Sequence, residues 1–302
     1  MPTPTGRYSQ RVEFHQLRYF LAVVKAGSFV AAAEQEGVAQ PSLSQQIKKL
    51  ESSLGVPLFD RLGRSVKLTA YGQALLPEAE AVLRQVHRAR RSIDALHPED
   101  CGSLTVGVIP TVLPYAMAPP LAAFRLANPG VTLALRELTT DVLVGALRSG
   151  EVDVAVLALP IRHPEIVCAE LYREPLMVAL SKAHPLAGEE QLELARLEKE
   201  PMLLLREGHC LRDDVLSACS RARARFDNVQ ESDNLASIFS MVAHGFGISL
   251  VPERTAPHAH GCKLIPIKPR NFRRIGYAQA AGHAALPVQK HLIRFLKAWA
   301  WA

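Results

Sequence analysis

The segment Glu207-Gly208-His209-Cys210-Leu211-Arg212-Asp213, followed by Cys219, is the part of this chain best equipped for chemistry. A thiol beside an imidazole, with a guanidinium two positions on and a helix expected to begin at Asp213, is surrounded by influences that favour thiolate over thiol. A peroxide oxidises a thiolate to a sulfenic acid, and a second thiol can condense with that acid; Cys219 is the obvious second thiol. If Asp213 to Cys219 is helical, that segment alone, at roughly 1.5 Å rise per residue, puts the thiols about 10 Å apart, beyond the Cα limit of about 7 Å for a disulfide. A bridge would then have to unwind the helix. The same cysteines also suit a plainer role as small buried hydrophobes.

A cysteine next to a histidine is also half of a nucleophilic enzyme. Neighbours on a strand point to opposite faces, however, and no carboxylate stands ready to orient His209, so catalysis is not expected. His258-Ala259-His260-Gly261-Cys262 sets three ligand types at alternate positions, which would share one face of a strand and suit a soft metal. With no fourth ligand evident, a solvated loop ahead of a strand at Leu264 is expected, and no metal or other cofactor is assigned. Cys101 and Cys168 have no partner pattern. Five scattered cysteines, and an N-terminal stretch without an apolar signal core, place the expected protein in the cytoplasm with reduced thiols.

These residues need elements to position them. The chain has 302 residues, 48% apolar and 21% charged, enough for about two domains. Lys and Arg outnumber Asp and Glu by 35 to 29, and the excess is uneven: residues 1 to 96 hold 13 basic against 8 acidic, leaving 22 against 21. A positive N-terminal third points to a polyanion partner. Two long uncharged stretches, Cys101 to Phe124 and Leu235 to Pro252, are broken by prolines in the first and by Gly245 and Gly247 in the second, so neither is expected to span a membrane.

From Phe14 to Leu54 apolar residues recur at helical spacing, interrupted at Gly27, Gly37 and Gln40, which predicts three short helices. The break at Glu36 to Gln40 is a tight turn, and Pro41 suits the first turn of the next helix, giving a helix-turn-helix. A helix that enters the major groove needs short polar side chains for base edges and basic ones nearby for phosphates; Gln40, Pro41, Ser42, Ser44, Gln45, Lys48 and Lys49 form such a start. Around Leu62-Gly63-Arg64, two short alternating runs predict a hairpin wing carrying Arg61, Arg64 and Lys67. Thr69 can cap a long helix to about Leu96, whose apolar positions (Leu75, Ala79, Val82, Val86, Ala89, Ile93, Leu96) step by four and three. That heptad seam predicts a dimer through paired helices, with a kink at Pro77.

After His97-Pro98-Glu99-Asp100, strand-like runs (104 to 109, 132 to 135, 154 to 159, 177 to 180, 202 to 205, 248 to 251, 264 to 267) alternate with helical ones (about 113 to 127, 139 to 149, 213 to 224, 234 to 244). The alternation predicts an α/β domain on a parallel sheet covered on both faces.

Residues 14 to 73 resemble the winged helix-turn-helix of LysR-type transcriptional regulators, through Gly27-Ser28-Phe29, Ala31-Ala32-Ala33, the run from Val38 to Ile47, Leu50-Glu51, Leu54-Gly55, Leu58-Phe59-Asp60-Arg61 and Leu68-Thr69. The order of parts continues through the whole chain except about a dozen residues before Phe14. The resemblance implies an N-terminal all-α winged helix-turn-helix (1 to 72), a linker and dimerisation helix (73 to 97) and a two-lobe α/β sensor similar to periplasmic binding proteins (101 to 302). Gly150 to Ala155 and Gly245 to Pro252 resemble two signatures of that sensor. Crossovers near Arg173 and Ile275 would make lobe one 101 to 172 plus 276 to 302, and lobe two 173 to 275.

The Cys210 segment is similar to the redox loop of the family's peroxide-sensing branch, and the spacing to Cys219 agrees. That likeness implies Cys210 as the oxidised thiol, Cys219 as the resolving one, and Thr111, Thr140, His209, Cys210 and Arg273 as the peroxide or effector site. Thr111 and Thr140 also suit helix caps. Ser217, Ala218 and Ser220 stand where that branch carries aromatic residues, which leaves the resolving role of Cys219 resting on spacing. The implied partners are double-stranded DNA, hydrogen peroxide or a small organic effector in the same cleft, and further copies of the chain as a dimer of dimers.

Overall fold

The computed structural model describes residues 11–60, 66–94, 96, 98–226, 228–282 and 285–301. It forms two compact units, Met1–Ala89 and Arg90–Ala302. In the first, α1 (Phe14–Ala26), α2 (Phe29–Glu36) and α3 (Gln40–Leu54) precede a two-stranded hairpin, β1 (Phe59–Asp60) and β2 (Lys67–Leu68), and a long helix, α4 (Ala70–Asp94), begins after it. Each helix contributes one apolar stripe to a shared core in which Phe20, Ala32, Leu43, Ile47 and Leu50 are wholly buried. Gly37, at φ 66°, takes the left-handed conformation that lets α2 stop and the chain turn into α3. The expected prolyl start of α3 is present, with Pro41 in its first turn. Glu51 of α3 accepts hydrogen bonds from the amides of Leu58 (2.9 Å) and Phe59 (3.3 Å), tying the hairpin to the helix. Thr69 Oγ1 accepts from the Gly72 amide at 3.1 Å and donates to the Pro57 carbonyl at 2.7 Å, capping α4 as the sequence suggests. Pro77 lies inside α4. Of the seam, Ala79 joins this core, whereas Val82 is 42% exposed.

The second unit runs β3 (Gly102–Val108), a π-helical turn at Leu113–Met117, α5 (Ala118–Ala127), β4 (Val131–Glu137), α6 (Thr140–Ser149), β5 (Val154–Leu159) and the sixteen-residue β6 (Ile166–Ser181). It continues through β7 (Leu192–Glu193), β8 (Met202–Leu205), α7 (Cys210–Arg221), β9 (Val229–Ser232), α8 (Leu235–Ala243), β10 (Ser249–Pro252), β11 (Cys262–Lys268), β12 (Phe272–Ala280) and α9 (Pro287–Ala298). Two separate apolar cores make two lobes: one gathers β3, β5, α5, α6 and α9, the other β8, α7, α8, β10 and β11. The lobes share β6. Its first half pairs with β12, and its second half with β10 and β11.

The sheet is mixed, not parallel. β3 is parallel to β4 and β5, and β8 to β9, but β12 is antiparallel to β5 and β6, and both β10 and β11 are antiparallel to β6. The expected parallel sheet followed from the βα alternation, which says nothing about the two return strands. Those strands, β12 and the first half of β6, are interrupted by charged residues, Arg273 and Arg274 in the one and Glu170 and Arg173 in the other, and so carry no long apolar run. A helix starting at Asp213 is also corrected: α7 begins three residues earlier, at Cys210 itself, because His209 takes the extended N-cap conformation.

At the register shift between β12 and β6, Gly276 has no room for a side chain: a Cβ would lie 2.4 Å from the Ala169 carbonyl and 2.6 Å from Leu159 Cδ1. Gly276→Ala is expected to destabilise the protein by about 1–3 kcal/mol, the usual range for overpacking, in urea unfolding. Gly188→Ala, where a Cβ meets nothing within 4 Å, should leave the midpoint in place.

Candidate functional site

The segment around Cys210 reaches across the lobes. Cys210 opens α7, a helix of lobe two, yet its side chain packs against the core of lobe one. The guanidinium of Arg273, from β12, is fully buried beside it. Its Nη2 donates to Thr111 Oγ1 at 3.1 Å and points to Cys210 Sγ at 3.7 Å. Its other nitrogens face carboxylates, Nη1 to Glu174 at 3.6 Å and Nε to Asp214 at 3.4 Å, as ion pairs without hydrogen-bond geometry. Burial opposes the charge on Arg273, but Cys210, Glu174 and Asp214 outweigh it, and its pKa is raised above the ordinary arginine value. Burial likewise raises Glu174 and Asp214 above the usual carboxylate range, with Arg273 pulling each back down.

Three of the five residues expected at the effector site, Thr111, Cys210 and Arg273, are thus in one contact set. His209 precedes Cys210 as the N-cap of α7, and its imidazole has no hydrogen-bond partner among the described residues. Thr140 begins α6, with Thr139 as its N-cap; its hydroxyl oxygen is buried and has no hydrogen-bond partner among the described residues. Arg212 is engaged elsewhere: Nη1 donates to Glu231 at 2.7 Å and to the Leu205 carbonyl at 3.0 Å. Arg273, 63 positions away in sequence, is the cation in contact with Cys210, a partner that local sequence cannot reveal. Glu174 and Asp214 are additions to the expected set. The signals for them were a carboxylate in the middle of a long strand and one at i+4 from Cys210 on the same helix.

Cys219 lies nine residues along the same helix, so the two thiols are separated by roughly 13 Å of helical rise. It is buried in the core of lobe two, and burial pushes its thiol up to about 11. Of the remaining cysteine segment, the His258 ring stacks edge-on against Tyr115 at 5.1 Å, and buried Cys262 donates to the Phe239 carbonyl at 3.3 Å.

On the first unit, Leu43, Ile47 and Leu50 turn one side of α3 into the core, while Gln40, Pro41, Ser42, Gln45, Lys48 and Lys49 stand exposed on the other and Ser44 is half-buried. This is the arrangement a groove-reading helix requires. Arg61 and Arg64 lie outside the described residues.

A helix-turn-helix with a wing, a long following helix and a two-lobed α/β domain together define a DNA-binding transcriptional regulator with a built-in sensor. Residues 14–73 match the family described as bacterial regulatory helix-turn-helix protein, lysR family, and residues 97–301 match the LysR substrate binding domain. The chain belongs to the LysR family, whose members are transcriptional regulators and not enzymes. It is similar to a probable hydrogen peroxide-inducible genes activator of Mycobacterium avium, 37% identical over 270 residues that cover 86% of this chain and 85% of that one. It is also similar to the DNA-binding transcriptional dual regulator OxyR of Escherichia coli strain K12, 34% identical over 275 residues, 90% of each chain. Among solved structures, a Corynebacterium glutamicum OxyR cysteine mutant with hydrogen peroxide bound superposes with a TM-score of 0.63 at 31% identity, covering 97% of this chain and 93% of that one. No helix among the described residues is long and apolar enough to cross a membrane.

The burial of Cys219 has a pH consequence. Its folded pKa, about 11, lies above the ordinary value of 9.0. The folded protein therefore holds a proton that the unfolded chain releases between those values. The stability this confers is complete below about pH 9 and is lost as pH rises through about 11. Urea unfolding from pH 8 to 11.5 should show a steeper fall in wild type than in Cys219→Ala. Parallel curves would show that the thiol is not held in this environment.

Proposed function

We propose that this protein is a cytoplasmic, peroxide-responsive DNA-binding transcriptional regulator in which Cys210 is the oxidised thiol and Cys219 the resolving one. The observation that carries this reading is the contact of Cys210 Sγ with the buried Arg273, which at the same time holds Thr111. Peroxide would enter beside Cys210 and Thr111, with Thr140 and His209 as further polar groups whose hydroxyl and imidazole have no hydrogen-bond partner among the described residues. The names of the relatives, and the peroxide in the Corynebacterium structure, support the same chemistry.

Cys210 sulfur supplies an electron pair to one peroxide oxygen, the O–O bond breaks, and water leaves once the thiol proton has passed to the departing oxygen. The product is a sulfenic acid. Arg273 and the amino end of α7 face the negative charge that develops at sulfur. The Cys219 thiol then attacks the sulfenic sulfur, forming the disulfide and releasing a second water. At roughly 13 Å the two sulfurs cannot meet while α7 is intact, so the second step demands that the helix come apart. Opening α7 would release Arg221 from Asn271, two bonds of 2.9 and 2.7 Å, and Asn271 lies two residues before Arg273 on the strand entering lobe one. Oxidation would in this way reach the connection between the lobes, lobe one being 101 to 172 with 276 to 302 and lobe two 173 to 275.

On DNA, Gln40, Ser42, Ser44 and Gln45 are assigned to base edges, and Lys48, Arg61 and Arg64 to phosphates, with Pro41 fixing the start of α3. The long helix is assigned to dimerisation, with residues 1 to 72 as the DNA-binding domain, 73 to 97 as the linker and pairs of dimers as the assembly.

The reading is tested by treating wild type, Cys210→Ser and Cys219→Ser with dilute hydrogen peroxide, then mapping thiols by mass spectrometry and operator contacts by footprinting. Wild type should form the Cys210–Cys219 disulfide and change its footprint, Cys219→Ser should stop at the sulfenic acid, and Cys210→Ser should do neither. A footprint that shifts equally in all three proteins would assign the response to other groups. A footprint that ignores peroxide but shifts with a small organic acid in Cys210→Ser would make the cleft a ligand site without redox chemistry. Separately, Ile93→Glu, at a position 65% exposed on the helix seam, should convert the oligomer to monomer by sedimentation and abolish tight DNA binding. A dimer with normal binding would remove the seam.

A further inference from the structure

Away from Cys210 and Arg273, a cavity of about 490 Å³ lies on the opposite side of α7 in lobe two. Its floor is apolar and buried: Met202 and Leu204 from β8, with Val215 and Cys219 from α7. Phe226 lines it too, and the exposed Leu216 and Val229 stand at its mouth. Two cations complete it, Arg223 and Arg225, both exposed, and neither guanidinium has a hydrogen-bond or ion-pair partner among the described residues. Arg223 is held at φ 57°, the left-handed region that side chains other than glycine rarely adopt, in the turn where the Cys219 carbonyl accepts from Ala224 at 3.0 Å. An apolar cavity with two exposed guanidinia that have no partner among the described residues is complementary to a molecule with a hydrocarbon tail and an anionic head. Its volume suits a single chain of medium length and not a two-chain lipid.

We propose that this cavity binds a medium-chain alkyl carboxylate, whose tail lies on Met202, Leu204 and Val215 and whose head is taken by Arg223 and Arg225. Because Cys219 is part of the floor, an occupied cavity keeps α7 folded and the thiol covered. The ligand binds only the helical form, so it opposes every process that requires the helix to open. Resting on the peroxide reading above, the site is then a brake on disulfide formation that leaves the first oxidation at Cys210 untouched.

Sodium decanoate is the probe, titrated calorimetrically into the reduced full-length protein. Saturable binding is expected, weaker by about tenfold or more for the Arg223→Gln/Arg225→Gln double variant and for decanol in place of decanoate, as the loss of charge-assisted hydrogen bonds implies. Val229→Trp, which fills the mouth without removing a buried side chain, should abolish it. At ten times its dissociation constant, decanoate should slow alkylation of Cys219 by N-ethylmaleimide about elevenfold, a readout that needs no peroxide. Unsaturable partitioning, equal affinity in the double variant, or loss of decanoate binding as protein concentration rises, the mark of a second copy seated in the cavity, each overturns the proposal. If decanoate binds and protects Cys219 while peroxide leaves Cys210 reduced, the site stands and the peroxide reading falls. If Cys210 is oxidised normally and Cys219 is unprotected, the site falls alone.

Discussion

A guanidinium without access to water is expensive unless its surroundings supply charge and hydrogen bonds, and Arg273 is fully buried where the two lobes meet. The groups that compensate it come from separate parts of the chain. Glu174 lies opposite it in the register between β6 and β12, Asp214 comes from the first turns of α7, Thr111 from the loop after β3, and Cys210 from the start of α7. Removing one partner from such a buried set costs about 3–5 kcal/mol because the remaining charge is left uncompensated. The arrangement therefore fixes the two lobes, the amino end of α7 and the cysteine in a single geometry.

The set is also incompletely satisfied. Nε and Nη1 of Arg273 face carboxylates without hydrogen-bonding them, and the Glu174 and Asp214 oxygens they face are likewise without hydrogen bonds. Glu174 is shared with Arg254, whose guanidinium covers the ring of Tyr172 at 4.7 Å, while Trp301 stacks on the same ring at 4.5 Å. Ion pairs without directional bonds are more easily rearranged than a fully bonded network, and rearrangement is what a sensor requires of its junction. The rigid parts lie on either side, in two separate apolar cores.

How far all this was legible in the sequence depended on range. The helix-turn-helix was readable because its determinants are local: Gly37 for the turn, Pro41 for the start of α3, and Leu43, Ile47 and Leu50 for the buried stripe. The cap at Thr69 was readable for the same reason. In the sensor, β3, β5, β8 and β11 showed as apolar runs because both their faces are covered or nearly so. β12 and the first half of β6 did not, since Arg273 and Arg274 interrupt the one and Glu170 and Arg173 the other. Cys210 could be selected from its neighbours, but those neighbours suggested the wrong cation: Arg212 bonds to Glu231, and Arg273 arrives through the sheet. Local sequence also misplaced the start of α7, because a glycine and a histidine ahead of Cys210 resemble a loop until the N-cap geometry of His209 is known.

That displacement of three residues alters the physics of the proposed switch. With the helix starting at Cys210, both cysteines belong to one continuous helix with opposite surroundings, one against the lobe-one core and a buried cation, the other in the apolar core of lobe two. The first sets the thiol 3.7 Å from a guanidinium nitrogen, and the second raises the proton affinity of the Cys219 thiol. While α7 is folded, the two cysteines are kept apart along it. Unfolding it would end both conditions at once, bringing the sulfurs within reach and exposing Cys219 to water, where its thiol ionises more readily. In the proposed mechanism the barrier to the second oxidation is accordingly the local stability of a twelve-residue helix, set by Leu211, Val215 and Ala218 in the core and by Arg221 on Asn271. On that proposal, any contact that strengthens or loosens the helix acts on the rate of the response while leaving the chemistry at Cys210 unchanged.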